Sequence, residues 1–282
     1  MKAKTIRKIL LKKINEWLAT VEDESLRADM KREVIVTGGA IASMLLNEKV
    51  NDFDVYFKTK ETTKAVAEYY VSKFPYPVKV QELEDRIRIV TERGHRGETM
   101  GEQVIQDSGE IEDLYEEAQG KAEETEDKTY RPVFMSTNAI TLSNRVQIVI
   151  RFFGEPDQIH ENYDFVHCTN YLTASNDKLV LKLEALEALL SKELRYVGSR
   201  YPLCSIIRLR KFIARGWTVN AGQILKMAMQ LDDLDLKDVK VLEDQLTGVD
   251  SAYFCEVISK LREKDPEKLN SAYLVEIIDR MF

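Results

Sequence analysis

The segment TGGAIASMLLNEKVNDFDVYF, residues 37–57, holds two adjacent glycines, Gly38 and Gly39, followed by two aspartates one residue apart, Asp52 and Asp54. A strand that stops at Gly-Gly and turns into a helix leaves backbone N–H groups without intrahelical partners. Glycine lets a ligand come close to that backbone, and a helix start favours anions, so a triphosphate is a natural guest. Asp52 and Asp54 are spaced i, i+2 and share one face of a strand, while Phe53, Val55 and Phe57 point to the other. Two carboxylates on one face repel each other unless a cation neutralises them. A hard divalent ion, magnesium with phosphate oxygens completing its shell, is the simplest neutraliser. Asp52 and Asp54 are therefore the candidate metal ligands, and Gly38 and Gly39 the candidate contacts to a nucleoside triphosphate.

The elements that must position these residues follow from pattern. An amphipathic helix is expected over 3–32, with Ile6, Ile9, Leu10, Ile14 and Leu18 on its apolar stripe. Strands are expected at 34–37 and 52–57 around a short helix at 40–47, then a helix over 60–74 and strands at 78–82 and 87–91. Residues 92–129 are acidic, glycine-containing and poor in apolar anchors, and read as a mobile insertion with a short helix near 111–118. Strands at 139–142 and 146–153 flank a turn at Ser143-Asn144. A short helix at 157–161 and a last strand at 163–169 follow. From residue 176 the pattern is helical, in segments 179–194, 202–214, 221–231, 239–247, 252–262 and 269–281. The expectation is an N-terminal helix over 1–33, an α/β domain over 34–175 and an all-helical domain over 176–282.

Composition narrows the function classes. A net charge of −7 argues against a chain that coats nucleic acid nonspecifically. Cys168, Cys204 and Cys255 form no CxxC pair, and an odd count without a signal peptide fits a reducing cytoplasm. No apolar run is long enough for a membrane span. His160 and His167 lack the spacing of a zinc site and read as surface or core histidines, with Cys168 a small packed side chain.

The segment 34–57 resembles the head domain of the polymerase β nucleotidyltransferase superfamily, most of all that of the tRNA CCA-adding enzymes and bacterial poly(A) polymerases. Gly38-Gly39, Leu45-Leu46 and Asp52-Phe53-Asp54 match in kind, order and spacing. The resemblance implies an α+β fold in which a small mixed β-sheet nucleotidyltransferase domain with flanking helices precedes the helical domain. It also implies an enzyme that uses Mg2+ to add a nucleotide from an NTP to an acceptor hydroxyl, RNA first among acceptors. A protein hydroxyl, as in AMP-transferring toxins, or a lapsed module that only binds, are the alternatives. Ala42-Ser43 stands where those relatives carry Arg-Asp, leaving Ser43 to donate to a phosphate. The family's third carboxylate belongs on a strand like NRVQIVIRFF, where this chain has Gln147; Asp164, in ENYDFVHC, is the substitute expected to complete the catalytic and metal set.

Residues 193–217 are rich in basic residues. Arg195, Arg200, Arg208, Arg210, Lys211 and Arg215 alternate with Tyr196, Tyr201 and Trp217. Arginines beside aromatic rings suit phosphate contact and base stacking, so RNA or the incoming nucleotide is expected there, with Arg208 on the nucleotide. The competing expectation is a helical face that packs and pairs with the acidic surplus.

Overall fold

The two strands that carry the glycines and the acids lie side by side. In the computed structural model, β1 (Ile35–Thr37) runs antiparallel to β2 (Phe53–Tyr56), with Ile35 opposite Tyr56 and Val36 opposite Val55. The structure describes residues 1–91 and 129–236, with Asp238, Val241 and Gln245. The expected insertion helix at 111–118 and the helices at 252–262 and 269–281 lie outside the described residues, as does nearly all of that at 239–247.

On the other edge of β2, β7 (Val146–Val149) runs parallel to it, which sets Gln147 opposite Asp54. The seven-stranded sheet reads β5 (Pro132–Met135), β6 (Ala139–Leu142), β7, β2, β1, β8 (Tyr171–Thr173), β9 (Lys178–Val180). All its pairings but β2–β7 are antiparallel. A separate hairpin joins β3 (Val78–Glu82) to β4 (Ile87–Thr91). The fold is α+β, with a mixed sheet and flanking helices. The turn between β6 and β7 is left-handed at Asn144 and Arg145, with φ 64° and 62°. Asparagine tolerates that region better than most residues, so Ser143-Asn144 does close a hairpin.

The two faces of β1 and β2 differ in what covers them. Val36, Phe53, Val55 and Phe57 are buried in the main core with α1 (Ala3–Leu18), α2 (Glu24–Glu33) and α4 (Lys60–Val71). Ile35 and Tyr56 point the opposite way, into a smaller cluster with Ile159 of α5 (Pro156–His160), Tyr163 and Tyr171. Alternation in the strand thus keeps the acidic face separate from the main core.

The structure corrects three sequence expectations. The N-terminal helix is two helices, because Asp23 accepts from the Leu26 N–H at 2.9 Å and starts α2 afresh. Residues 163–169 are not a strand: a 3-10 turn spans Val166–Cys168, and the sheet's next strand is β8. Leu179 lies in β9, paired with β8, rather than in a helix; the helix is α6 (Leu183–Ser191).

The chain divides into compact units at 1–191 and 192–282. In the second, α7 (Pro202–Ala214) and α8 (Ala221–Asp232) are described. Gln230 accepts from the Tyr196 hydroxyl and donates to the Ser199 carbonyl at 3.2 Å, pinning the segment before α7 to α8. Tyr196 and Trp217 are buried, so neither ring is an open stacking platform. Arg200, Arg210, Lys211 and Arg215 remain exposed.

Asp23→Ala removes the cap between α1 and α2 and is expected to cost about 1 kcal/mol in urea unfolding, with the slope unchanged.

Candidate functional site

The elbow between β1 and α3 (Gly39–Leu46) is built on a backbone conformation open to glycine alone. Gly38 has φ 92° and ψ −152° and caps α3. Its N–H donates to the Cys168 carbonyl at 3.1 Å. Gly38 therefore shapes the turn, and the first N–H groups of α3 are the ones a helix start leaves for a ligand. A methyl group added at Gly39 would meet nothing within 4 Å, so that side of the elbow has room.

Asp54 faces this elbow. A Cβ placed on Gly38 would stand 2.7 Å from Asp54 Oδ2 and 3.5 Å from the Tyr163 hydroxyl. Only the missing side chain at 38 lets the carboxylate come so close to the turn. Asp52 and Asp54 are both half-buried.

Gln147 presents one end of its amide to both acids. With nitrogen in that place, assigned from its surroundings, it donates to Asp52 Oδ2 at 3.3 Å and to Asp54 Oδ1 at 3.0 Å. One atom lies within reach of both carboxylates, so they converge on a common point. That donor set suits a magnesium ion, a hard cation that takes carboxylate and phosphate oxygens.

The expected third ligand is not with them. Asp164 is buried in the stretch that leads from α5 into the 3-10 turn. Among the described residues, no group of three His, Cys, Asp or Glu side chains gathers closely enough to hold a metal. The physical reason is the path of the chain: residues 163–169 do not form the strand that would carry Asp164 beside β2. Ser43 is half-buried in α3, and Arg208 is half-buried on α7 of the second unit.

Thr37, His160 and Tyr163 brace the elbow. Lys182 Nζ lies 3.3 Å from His160 Nδ1 and donates to it, which leaves the imidazole hydrogen on Nε2. Nε2 donates to the Thr37 hydroxyl at 2.8 Å, and that hydroxyl donates to the Asn170 carbonyl at 2.9 Å. Burial, with the Lys182 charge adding to it, lowers the His160 pKa to about 4, so the ring is neutral near pH 7. His167 is lowered to about 4 by burial alone. The Tyr163 phenol bonds the Tyr56 hydroxyl at 3.1 Å; burial above all, then Tyr56 and the Asp54 charge, raise its pKa well above the usual value, so it stays protonated. Sequence gave no signal for Thr37 or Tyr163. Both are recognised only once β1, α5 and the 3-10 turn are brought together.

Two outcomes follow from this geometry. Gly38→Ala is expected to lose about 1–3 kcal/mol of stability in urea unfolding, whereas Gly39→Ala stays within about 0.5 kcal/mol. The depressed histidines make the native state bind fewer protons than the unfolded chain between about pH 4 and 6.5. Their stabilisation is therefore full above about pH 6.5 and is lost as pH falls towards 4. Across that range the Tm of His160→Gln should fall less than that of the unsubstituted protein, by on the order of 5 °C in differential scanning calorimetry.

The solved structures that this fold is similar to include a Thermotoga maritima CCA-adding enzyme complexed with tRNA, at 14% identity and TM-score 0.41, covering 95% of this chain and 53% of that one. They also include a Bacillus stearothermophilus CCA-adding enzyme in complex with CTP, at 13% identity and TM-score 0.41, covering 87% and 49%. A curated relative, Gabija anti-defense 2 of Bacillus phage SPbetaL7, is 18% identical over 253 residues. That match takes in 89% of this chain and 50% of the relative, so the chain spans about half the relative's length. A model of the Gabija anti-defense 2 family matches residues 8–192. That stretch runs from within α1 to the end of α6 and includes the elbow, both acids and Gln147, and the chain belongs to the Gabija anti-defense 2 family.

Proposed function

We propose that the chain binds a magnesium-loaded nucleoside triphosphate at the elbow and transfers its nucleotidyl group to an acceptor hydroxyl, with RNA the favoured acceptor. The observation that carries this reading is the close approach of Asp54 Oδ2 to the Gly38 turn, 2.7 Å from a Cβ built there. That approach supports a role for Asp54 as metal ligand beside a phosphate site at the start of α3. The free N–H groups at the start of α3 hold the β- and γ-phosphates, with Gly39 giving them room and Ser43 a further donor in this proposal. Asp52 and Asp54 hold the α-phosphate end through their shared cation site. When bound, magnesium supplies charge neutralisation and Lewis acidity at that phosphate. The acceptor hydroxyl oxygen forms a bond to the α-phosphorus and gives up its proton to solvent water, the bond from that phosphorus to the oxygen bridging to the β-phosphate breaks, and pyrophosphate leaves with the bond's electron pair. The exposed Arg200, Arg210, Lys211 and Arg215 are the proposed RNA contacts.

A second reading keeps the nucleotide and drops the transfer. Gln147 favours it: an amide opposite Asp54 cannot take the acceptor proton. In either reading we assign the chain a role against the Gabija defence, as the name of its phage relative states for that protein.

Labelled NTPs with magnesium, with and without total RNA, decide between them. Label on RNA supports the first reading, and label on protein supports transfer to a protein hydroxyl. Magnesium-dependent NTP binding without transfer supports the second reading. Asp52→Ala with Asp54→Ala is expected to weaken that binding by more than about tenfold. NTP binding that ignores both magnesium and these substitutions overturns both readings.

A further inference from the structure

We propose that Gln147 is a two-state ligand of the site: its amide nitrogen ties Asp52 to Asp54 when no cation is present, and the same amide reverses to offer its carbonyl oxygen as third ligand when a divalent cation enters. This rests on the metal-nucleotide reading above and adds the residue that sets the cation's affinity.

The parallel register of β2 and β7 puts Gln147 directly opposite Asp54, on the face where Asp52 also points. Its amide lies between the two acids, at 3.3 and 3.0 Å from their nearest oxygens. A primary amide has two N–H donors on one side and an acceptor oxygen on the other. With nitrogen inward, each carboxylate receives one hydrogen and the repulsion between the acids is relieved. With oxygen inward, three oxygens face one point, an arrangement that is repulsive until a cation occupies it. Rotation by half a turn about the last side-chain bond exchanges the two states without moving the strand. Neither glutamate nor methionine can do both. Glutamate would place a third negative charge beside Asp52 and Asp54 in the empty site. Methionine, close to glutamine in length, would neither bridge the acids nor offer a hard oxygen.

The consequence is a site that is stable without metal and binds it less tightly than three carboxylates would. Cation entry must break two amide hydrogen bonds, and it gains a neutral ligand in place of a charged one. Gln147→Glu therefore trades stability of the empty protein for affinity, and Gln147→Met loses both.

The experiment uses the full chain and Mn2+ as the probe, with free Mn2+ followed by electron paramagnetic resonance and unfolding followed by calorimetry in chelator and in saturating Mn2+. Relative to the unsubstituted protein, Gln147→Glu is expected to bind Mn2+ roughly ten- to a hundredfold tighter. Its Tm should fall in chelator and recover in Mn2+. Gln147→Met is expected to lose Mn2+ affinity and to have a lower Tm in chelator. If the unsubstituted protein binds Mn2+ and loses it in Asp54→Asn, while both Gln147 variants match it in affinity and Tm, the two-state role is overturned and the metal reading survives. If neither the unsubstituted protein nor Gln147→Glu binds Mn2+, with or without a non-hydrolysable NTP, both are overturned.

Discussion

The site depends on one close approach. Asp54 Oδ2 sits 2.7 Å from where a Cβ at residue 38 would be, too close for any residue but glycine. The strained turn at Gly38 and the carboxylate on β2 are therefore parts of one feature, and each limits what the other can be. A positive φ at 38 turns the chain from β1 into α3, and the missing Cβ lets the acid of the neighbouring strand close up beside it. The surrounding groups hold this arrangement in place. The His160–Thr37 pair and the Gly38 N–H to Cys168 bond fix the end of β1, while the Tyr163–Tyr56 pair fills the space beside Asp54.

The sheet separates two jobs. On one face, Phe53, Val55 and Phe57 join a large core under α1, α2 and α4, which supplies most of the burial that holds the strands. On the other face, a smaller cluster of Ile35, Tyr56 and Ile159 leaves the acids half-buried rather than sealed. Carboxylates placed on the first face would be desolvated at a prohibitive cost. On the second they are only half-buried. The strand's two-residue period thus puts stability and chemistry on opposite sides of the same few residues.

Much of this was legible in the sequence where the signal was local. The hairpin around Ser143-Asn144, the strands at 78–82, 87–91 and 139–142, and the helix at 202–214 were readable because turn chemistry or period marked each of them. The shared face of Asp52 and Asp54 followed from spacing alone. The failures were non-local. β5, β8 and β9 are three or four residues long, and β8 and β9 are strands because of what they pair with rather than what they contain. The break at residues 19–23 has no apolar signature, because the apolar stripe of α1 continues into Leu26 and Met30, and only the Asp23 cap marks the restart. Gln147 could be located as the residue where an acid was expected. Its bridge to both aspartates could not, since it arises from a parallel pairing between strands some ninety residues apart.

The most direct measurement is a crystal structure of the chain grown with Mn2+ and a non-hydrolysable nucleoside triphosphate, with data collected at the manganese edge. An anomalous peak is expected within ligand distance of both Asp52 and Asp54, with the β- and γ-phosphates lying along the first turn of α3. A nucleotide bound elsewhere, or a manganese peak that touches neither aspartate, would overturn the proposed site.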